Sequence, residues 1–403
     1  MRAALAEGGA VGHLMHLYDN RDMSFQEMKR ILTSAATGKL EKTTEKLDGL
    51  NLVFTWNATE GAIRIARAAG DIKRGGMSVE QLAAKFAGRG SLQKAFDLAS
   101  RTLQGAISSL SAQDNQTIFG ESGQKWYSIE VVYTGNPNVI NYDSNSIVFH
   151  GWPVFEIDET GIVQPSDDAS GVEILTRNID KMQKAVKLRD WKLRGPAVVT
   201  LSKLADKSVL SEVFQRIDEA VTAAGLDDSA TVGQYLAAML QYDMETMGIP
   251  RSLRPMVIKR VMGEPGSSLV DIKKNIDKST YETIASFVKD SHNVLKKHVR
   301  PIELAINDFA VEVLRGLKST LVDDTDAEVQ RLRAAVSSAA ATIQASGDEA
   351  AMSVLKGQME KLKSLENITT PVEGVVFIWK GNAYKFTGSF AAVNQILGLF
   401  YKK

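Results

Sequence analysis

The order of strand-like and helix-like stretches limits what this chain can fold into. The last β-type stretch is Val372-Glu373-Gly374-Val375-Val376-Phe377-Ile378-Trp379, a Lys380-Gly381-Asn382 turn, and Ala383-Tyr384-Lys385-Phe386-Thr387. Runs of β-branched and aromatic residues around such a turn predict a hairpin. A two-stranded hairpin is not stable alone in water, so it must join a sheet begun elsewhere. The β-rich sequence of residues 45–155 offers one, and the long helical block between them then becomes an insertion. The expected class is α+β. Residues 1–170 would begin a β-rich domain, 171–368 would form the inserted helical domain, and 369–403 would return the last strands.

Local patterns fill this frame. Ser24-Phe25-Gln26-Glu27 is a capping box that opens a helix through about Ala36, closed by Gly38. Leu50 to Asn57 reads as a strand, with Gly61 to Arg67 as its hairpin partner. Ala69 to Gly76 reads as a basic loop, and residues 78–112 as helices behind a Ser78-x-x-Gln81 cap. From Thr117 to Phe155 short aromatic and β-branched runs predict strands; from about Val172 to Leu365 the sequence turns helical. His292 and His298 stand among helical lysines and read as solvated.

Composition removes whole classes of function. The 403 residues contain no cysteine, which excludes disulfides, thiolate metal sites and a cysteine nucleophile and fits a reducing compartment. The expected location is cytoplasmic, the host cytoplasm if the protein is viral. No apolar run is long enough to span a membrane. Lys+Arg and Asp+Glu are both 48, so a nucleic-acid partner would need a local basic face.

The chemistry-bearing stretch is Glu45-Lys46-Leu47-Asp48-Gly49-Leu50-Asn51. On an extended backbone Lys46 and Asp48, two apart, point to the same side. Gly49 allows a close approach that a Cβ would hinder. A lysine beside an acid can act as an amine nucleophile once it loses its proton, which requires the site to lower its pKa by desolvation or nearby positive charge.

The stretch resembles motif I, K-x-D-G, of the covalent nucleotidyltransferases: polynucleotide ligases and messenger-RNA capping enzymes. Further segments resemble the later motifs in order. Trp126-Tyr127-Ser128-Ile129-Glu130-Val131-Val132 is similar to motif III, Ile147-Val148-Phe149-His150 to motif IIIa, Glu373-Gly374 to motif IV and Lys385 to the first lysine of motif V. The resemblance implies an adenylation domain, with antiparallel sheets around an ATP cleft. It makes Lys46 the nucleophile that takes AMP from ATP, with Asp48 and Lys385 in the catalytic set. Glu45, Asn51, Arg67, Glu130, Phe149 and Glu373 would contact the nucleotide, Phe149 by stacking on adenine. Asp48, Glu130 and Glu373 would hold Mg²⁺ through its waters. Glu121 competes with Glu130 for motif III, and Glu130 is favoured as the mid-strand acid. Thr387 stands where the family carries a second lysine, leaving one phosphate charge to Lys380 or Lys73.

Asn51 after Gly49 looks most like the RNA-ligase branch, so the implied function is an ATP-dependent ligase sealing 5′-phosphate to 3′-hydroxyl ends, with RNA ahead of DNA. The rivals are a DNA ligase, a protein-AMPylating enzyme, and a viral structural or adaptor protein keeping the fold. Two basic stretches of the expected insertion suit a nucleic-acid backbone. One is Lys181, Lys184, Lys187, Arg189, Lys192 and Arg194, with Trp191 among them. The other is Arg251, Arg254, Lys259 and Arg260.

Overall fold

The computed structural model describes residues 14–135, 142, 144–158, 161, 163–166, 170–265, 268–273, 276–315, 317, 320–321 and 372–387. They form an α+β structure. Helix α1 (Phe25–Ala36) precedes strands β1 (Thr44–Lys46), β2 (Leu50–Asn57) and β3 (Ala62–Ala66). Helices α2 (Ala69–Lys73), α3 (Val79–Lys85), α4 (Gly90–Ile107) and α5 (Ala112–Phe119) lead to strands β4 (Lys125–Val132), β5 (Asn145–Ile157) and β6 (Val163–Ser166). Helices α6 (Ser170–Arg177) and α7 (Ile179–Ala185) lead to β7 (Trp191–Arg194). Then come α8 (Ser208–Ala223), α9 (Val232–Thr246), α10 (Arg254–Val261), α11 (Leu269–Lys273), α12 (Lys278–Lys289) and α13 (Ser291–Leu314). The hairpin of β8 (Gly374–Trp379) and β9 (Asn382–Thr387) ends the described chain.

These elements fall into two compact units. A β unit holds Leu14, Glu41–Thr200 and the described residues from Leu314 onward; a helical unit holds Met15–Leu40 and Leu201–Val313. The long segment of the helical unit therefore starts at Leu201, not residue 171, and the unit also includes α1. Helices α6 and α7 stay with the β unit because Val172, Leu175 and Met182 are buried in its core. The expected boundary at residue 368 lies outside the described residues.

The β unit contains two sheets. The larger runs β3-β2-β4-β5-β6, with β7 parallel to the first half of β5. Alternation sends Leu52, Phe54, Tyr127, Ile129 and Phe149 to one face, where Leu82, Phe96, Leu103, Ile118 and Met182 of the helices cover them. The other face buries Val53, Ala66, Trp126 and Phe155 with Ile72 of α2 at one end. The smaller sheet is β1-β8-β9, so the final hairpin joins one early strand, β1, and not the larger sheet that holds most of the β-rich sequence of residues 45–155.

Three local expectations change. Residues 69–73 are a short helix, α2, rather than a loop, and the buried Asp71 accepts from the Arg67 N–H at 3.1 Å and pairs with Arg74 at 2.7 Å. Thr117 to Phe119 end a helix instead of starting a strand. Ser111 caps that helix by accepting the Asp114 N–H at 3.0 Å, and Ile118 and Phe119 bury on its inner face. Trp191 to Arg194 form a strand, β7, with Trp191 and Leu193 buried and Lys192 exposed in period-two alternation.

In the helical unit the Ser24 hydroxyl caps α1, which buries Phe25, Met28, Ile31 and Leu32. Phe25 meets Tyr235 edge-on at 5.8 Å, and Lys29 pairs with Asp218 and Asp228. His298 is buried, 2.6 Å from Asp243, and so is not a solvated residue of a helix face. Among the described residues no helix is long and apolar enough to cross a membrane.

Candidate functional site

Lys46 is the last residue of β1 and pairs with Gly374 of β8, which in turn pairs with Thr387 of β9. Two rows further along, Thr44 pairs with Val376 and Val376 with Lys385. Paired residues and those two apart share a face, so Lys46, Lys385 and Thr387 lie on the same side of the small sheet. A Cβ on Gly374 would run into the Phe386 carbonyl, which explains a glycine in the centre of this sheet. The Lys46 ammonium forms an ion pair with Glu373, just before β8.

The large sheet brings the second group of residues. Asn51 of β2 pairs with Glu130 of β4, and Glu130 with Val148 of β5. Gly49 lies against this row. A Cβ there would come 2.7 Å from Glu130 Cγ and 2.8 Å from the Val131 carbonyl oxygen, so the glycine of K-x-D-G is set by the close passage of β4. Asp48 N–H donates to the Tyr142 hydroxyl at 2.8 Å, which fixes the turn between Lys46 and β2. The Asn51 amide donates to Ser128 Oγ at 3.0 Å and to the Ile129 carbonyl at 3.3 Å.

Contacts bring these segments together: Lys46 pairs with Glu373, the Asp48 N–H reaches Tyr142, and Gly49 passes against Glu130. Burial pushes Glu373 above the usual carboxylate range; Lys46 opposes the shift, and the charges of Asp48 and Glu130 add to it. Tyr142 is raised by burial, then by Glu45, and further by Asp48 and Glu373. Glu373 thus lies within reach of the charges of Lys46, Asp48 and Glu130, and Tyr142 within reach of Glu45, Asp48 and Glu373, although these groups come from four separate stretches of chain. A half-buried lysine paired with a carboxylate whose pKa burial raises is placed to act as an amine nucleophile.

Other expected residues are placed differently. Phe149 pairs with Ile129, on the face opposite Glu130; it is 1% exposed and packs 6.0 Å from Phe54. Its ring is core and cannot stack on a ligand at the Glu130 face. Glu45 points away from Lys46, as neighbours on a strand must. It is 1% exposed and accepts both the Thr320 N–H and hydroxyl at 2.6 Å, so its visible role is to hold chain together. Arg67 lies over the rings of Phe96 and Phe86, at 5.1 and 5.8 Å. Burial lowers its pKa, and Glu130 and Asp71 favour its charged form. Glu121 is exposed in the turn after α5, so Glu130 is the acid at this site. Lys380 sits at the hairpin tip, the far end from the Gly374–Thr387 pair, and Lys73 is exposed on α2.

Three contributors are not obvious in the sequence. His150 Nε2 lies 3.2 Å from Glu130 Oε2, on the face Phe149 does not reach. Tyr142 comes from a connection with no periodicity. Arg194 pairs with Val148, two strands from Glu130 in the same row, and its buried Nε has no hydrogen-bond partner. Asn51 Oδ1 is likewise buried without a partner. An orphaned acceptor and donor on the face of Glu130 suit a ligand with hydroxyls and anionic oxygens.

Among the described residues no three His, Asp or Glu side chains are grouped to grip a metal directly. The mutual charge of Asp48, Glu130 and Glu373 fits instead a hydrated divalent cation held through its waters, the usual habit of Mg²⁺. The chain matches no family model, no curated protein and no solved structure.

Proposed function

We propose that the chain is an ATP-dependent nucleotidyltransferase that works through a lysyl-AMP on Lys46, as a polynucleotide ligase with RNA as the expected acceptor. The observation that carries the reading is the convergence of Lys46, Asp48, Glu130 and Glu373 around one ion pair, with Lys385 on the face of Lys46. These are the residues, in chain order, that resemble motifs I, III, IV and V.

The chain's own groups account for the first step. Glu373, raised by burial, accepts a proton from the Lys46 ammonium. The Lys46 amine forms an N–P bond to the α-phosphorus as the bond to the β-phosphate oxygen breaks, and pyrophosphate leaves with that electron pair. The nitrogen, positively charged once the N–P bond forms, then passes its second proton to water. Lys385 would neutralise the α-phosphate, Glu130 and Asn51 Oδ1 would take ribose hydroxyls, and His150 would hold Glu130 in place. Magnesium, when bound, would supply charge to the triphosphate. Positioning and charge neutralisation carry most of such a rate. A 5′-phosphate end then takes the AMP, and a 3′-hydroxyl displaces it.

The test is incubation with α-labelled ATP and Mg²⁺, followed by a denaturing gel. Wild type should retain label through denaturation and Lys46→Ala should carry none. Equal labelling of the variant would remove Lys46 from the mechanism, and an unlabelled wild type would remove the enzyme reading in favour of a binding protein.

A further inference from the structure

The chain carries no net charge, yet residues 177–194 hold seven Lys or Arg against two Asp, a local excess of five. No carboxylate pairs with any of the seven among the described residues. Lys181, Lys184, Lys187, Arg189 and Lys192 are all exposed, and Arg194 is partly buried. These residues belong to the β unit, contrary to their expected place in the helical insertion. Helix α7 backs the large sheet, with Met182 in the core, and the chain then turns round the sheet edge into β7. Lys192 and Arg194 pair with Ser146 and Val148, so they share the face of Glu130. The band therefore starts behind the sheet and ends in the row of the candidate site, about 10 Å from β4 at the usual strand spacing.

We propose that this α7–β7 band is the surface on which the acceptor polynucleotide lies, with its sugar–phosphate backbone running over the sheet edge toward Lys46. The identity of the acceptor rests on the nucleotidyltransferase reading; the anionic polymer is indicated by the band itself. A lone lysine is enough to protect an edge strand such as β7 from pairing with another chain. Seven cations with only two aspartates among them, and no ion pair to any of them among the described residues, exceed that need and repel one another unless an extended anion meets them. The recognition is of phosphate, not base. Trp191, the aromatic of the stretch, is fully buried and stacked on Tyr133 at 6.1 Å, so it offers no ring to a nucleobase. Binding of this kind is sequence-independent and falls steeply with salt.

The experiment measures binding of a 5′-phosphorylated single-stranded RNA over a range of salt concentrations. It compares wild type, a fourfold variant (Lys184→Gln, Lys187→Gln, Arg189→Gln and Lys192→Gln), and a charge-keeping variant with the three lysines changed to arginine. The fourfold variant should bind at least tenfold more weakly. Its slope of log affinity against log salt should be shallower by about 0.7 for each phosphate contact removed. The charge-keeping variant should match wild type. Unchanged affinity and slope in the fourfold variant would overturn the proposal, as would equal loss in the charge-keeping one. Wild-type binding to vesicles of anionic lipid but not to RNA would also overturn it. Self-adenylylation is measured alongside. A wild type that binds RNA with the expected slope but takes no AMP would remove the proposed function and leave this surface standing.

Discussion

Glu373 shows how one side chain can serve structure and chemistry in opposite directions. Burial raises its pKa, and Lys46 recovers part of that penalty while Asp48 and Glu130 deepen it. The folded state therefore holds the Glu373 proton more tightly than the unfolded chain does. The stability linked to that proton is fully present below the unfolded value, near pH 4, and is lost as pH rises through the folded one. Glu373→Gln has no such proton. Wild type should thus lose stability relative to this variant as pH rises from about 4 through the raised folded-state value. Urea titrations at several pH values would measure the difference. A gap that stays flat, or runs the other way, would show that Lys46 outweighs burial. Residue-level roles were only partly legible from sequence. Period-two alternation groups Ile147 with Phe149 but does not say which group faces the core, and Phe149 went to the helix side. The same ambiguity hid His150, whose ring is on the Glu130 side.

At the scale of elements, the site depends on how closely β4 passes the Lys46 turn. Gly49→Ala would place its Cβ against Glu130 Cγ and the Val131 backbone oxygen. The side chain can swing aside but the backbone oxygen cannot. The variant should cost about 1–3 kcal/mol in stability. It should also displace Glu130, lowering self-adenylylation by more than tenfold while the protein remains folded by circular dichroism. Wild-type labelling in this variant would mean that Glu130 is not needed where it stands. The β2–β3 and β8–β9 hairpins could be read from local pattern because both strands and their turn are contiguous. Short apolar runs were not legible in the same way. Gln116 to Phe119 and Trp191 to Arg194 are each of a length that fits either a strand or one helical turn, and packing decided between them. A register shift in the β4–β5 pairing between Tyr127 and Ile129 also breaks simple alternation, so Phe149 and Val154 both reach the core despite their odd separation.

For the whole molecule, the chain order makes the helical unit discontinuous. It is assembled from Met15–Leu40 and Leu201–Val313, with most of the described β unit between them in sequence. That arrangement was not legible, because α1 precedes the strand of Lys46 and nothing local says which unit will bury its apolar face. Lys29 is the polar clamp across the gap. Its ammonium donates to Asp228 at 2.8 and 2.9 Å and to Asp218, and lies 5.4 Å from the ring centre of Phe214. Burial opposes its charge, but the two aspartates hold its pKa above the ordinary lysine value. Lys29→Met keeps the length of the side chain and leaves two carboxylates facing each other without a cation. The expected loss is about 1–2 kcal/mol, at the low end for a charged partner because both aspartates are half exposed. The loss should be shared. Hydrogen exchange read segment by segment should show protection falling in residues 25–36 and in residues 208–223 together, because the clamp ties one to the other. A loss confined to α1 would mean that the two segments are held by their apolar faces alone and that Lys29 only decorates the join.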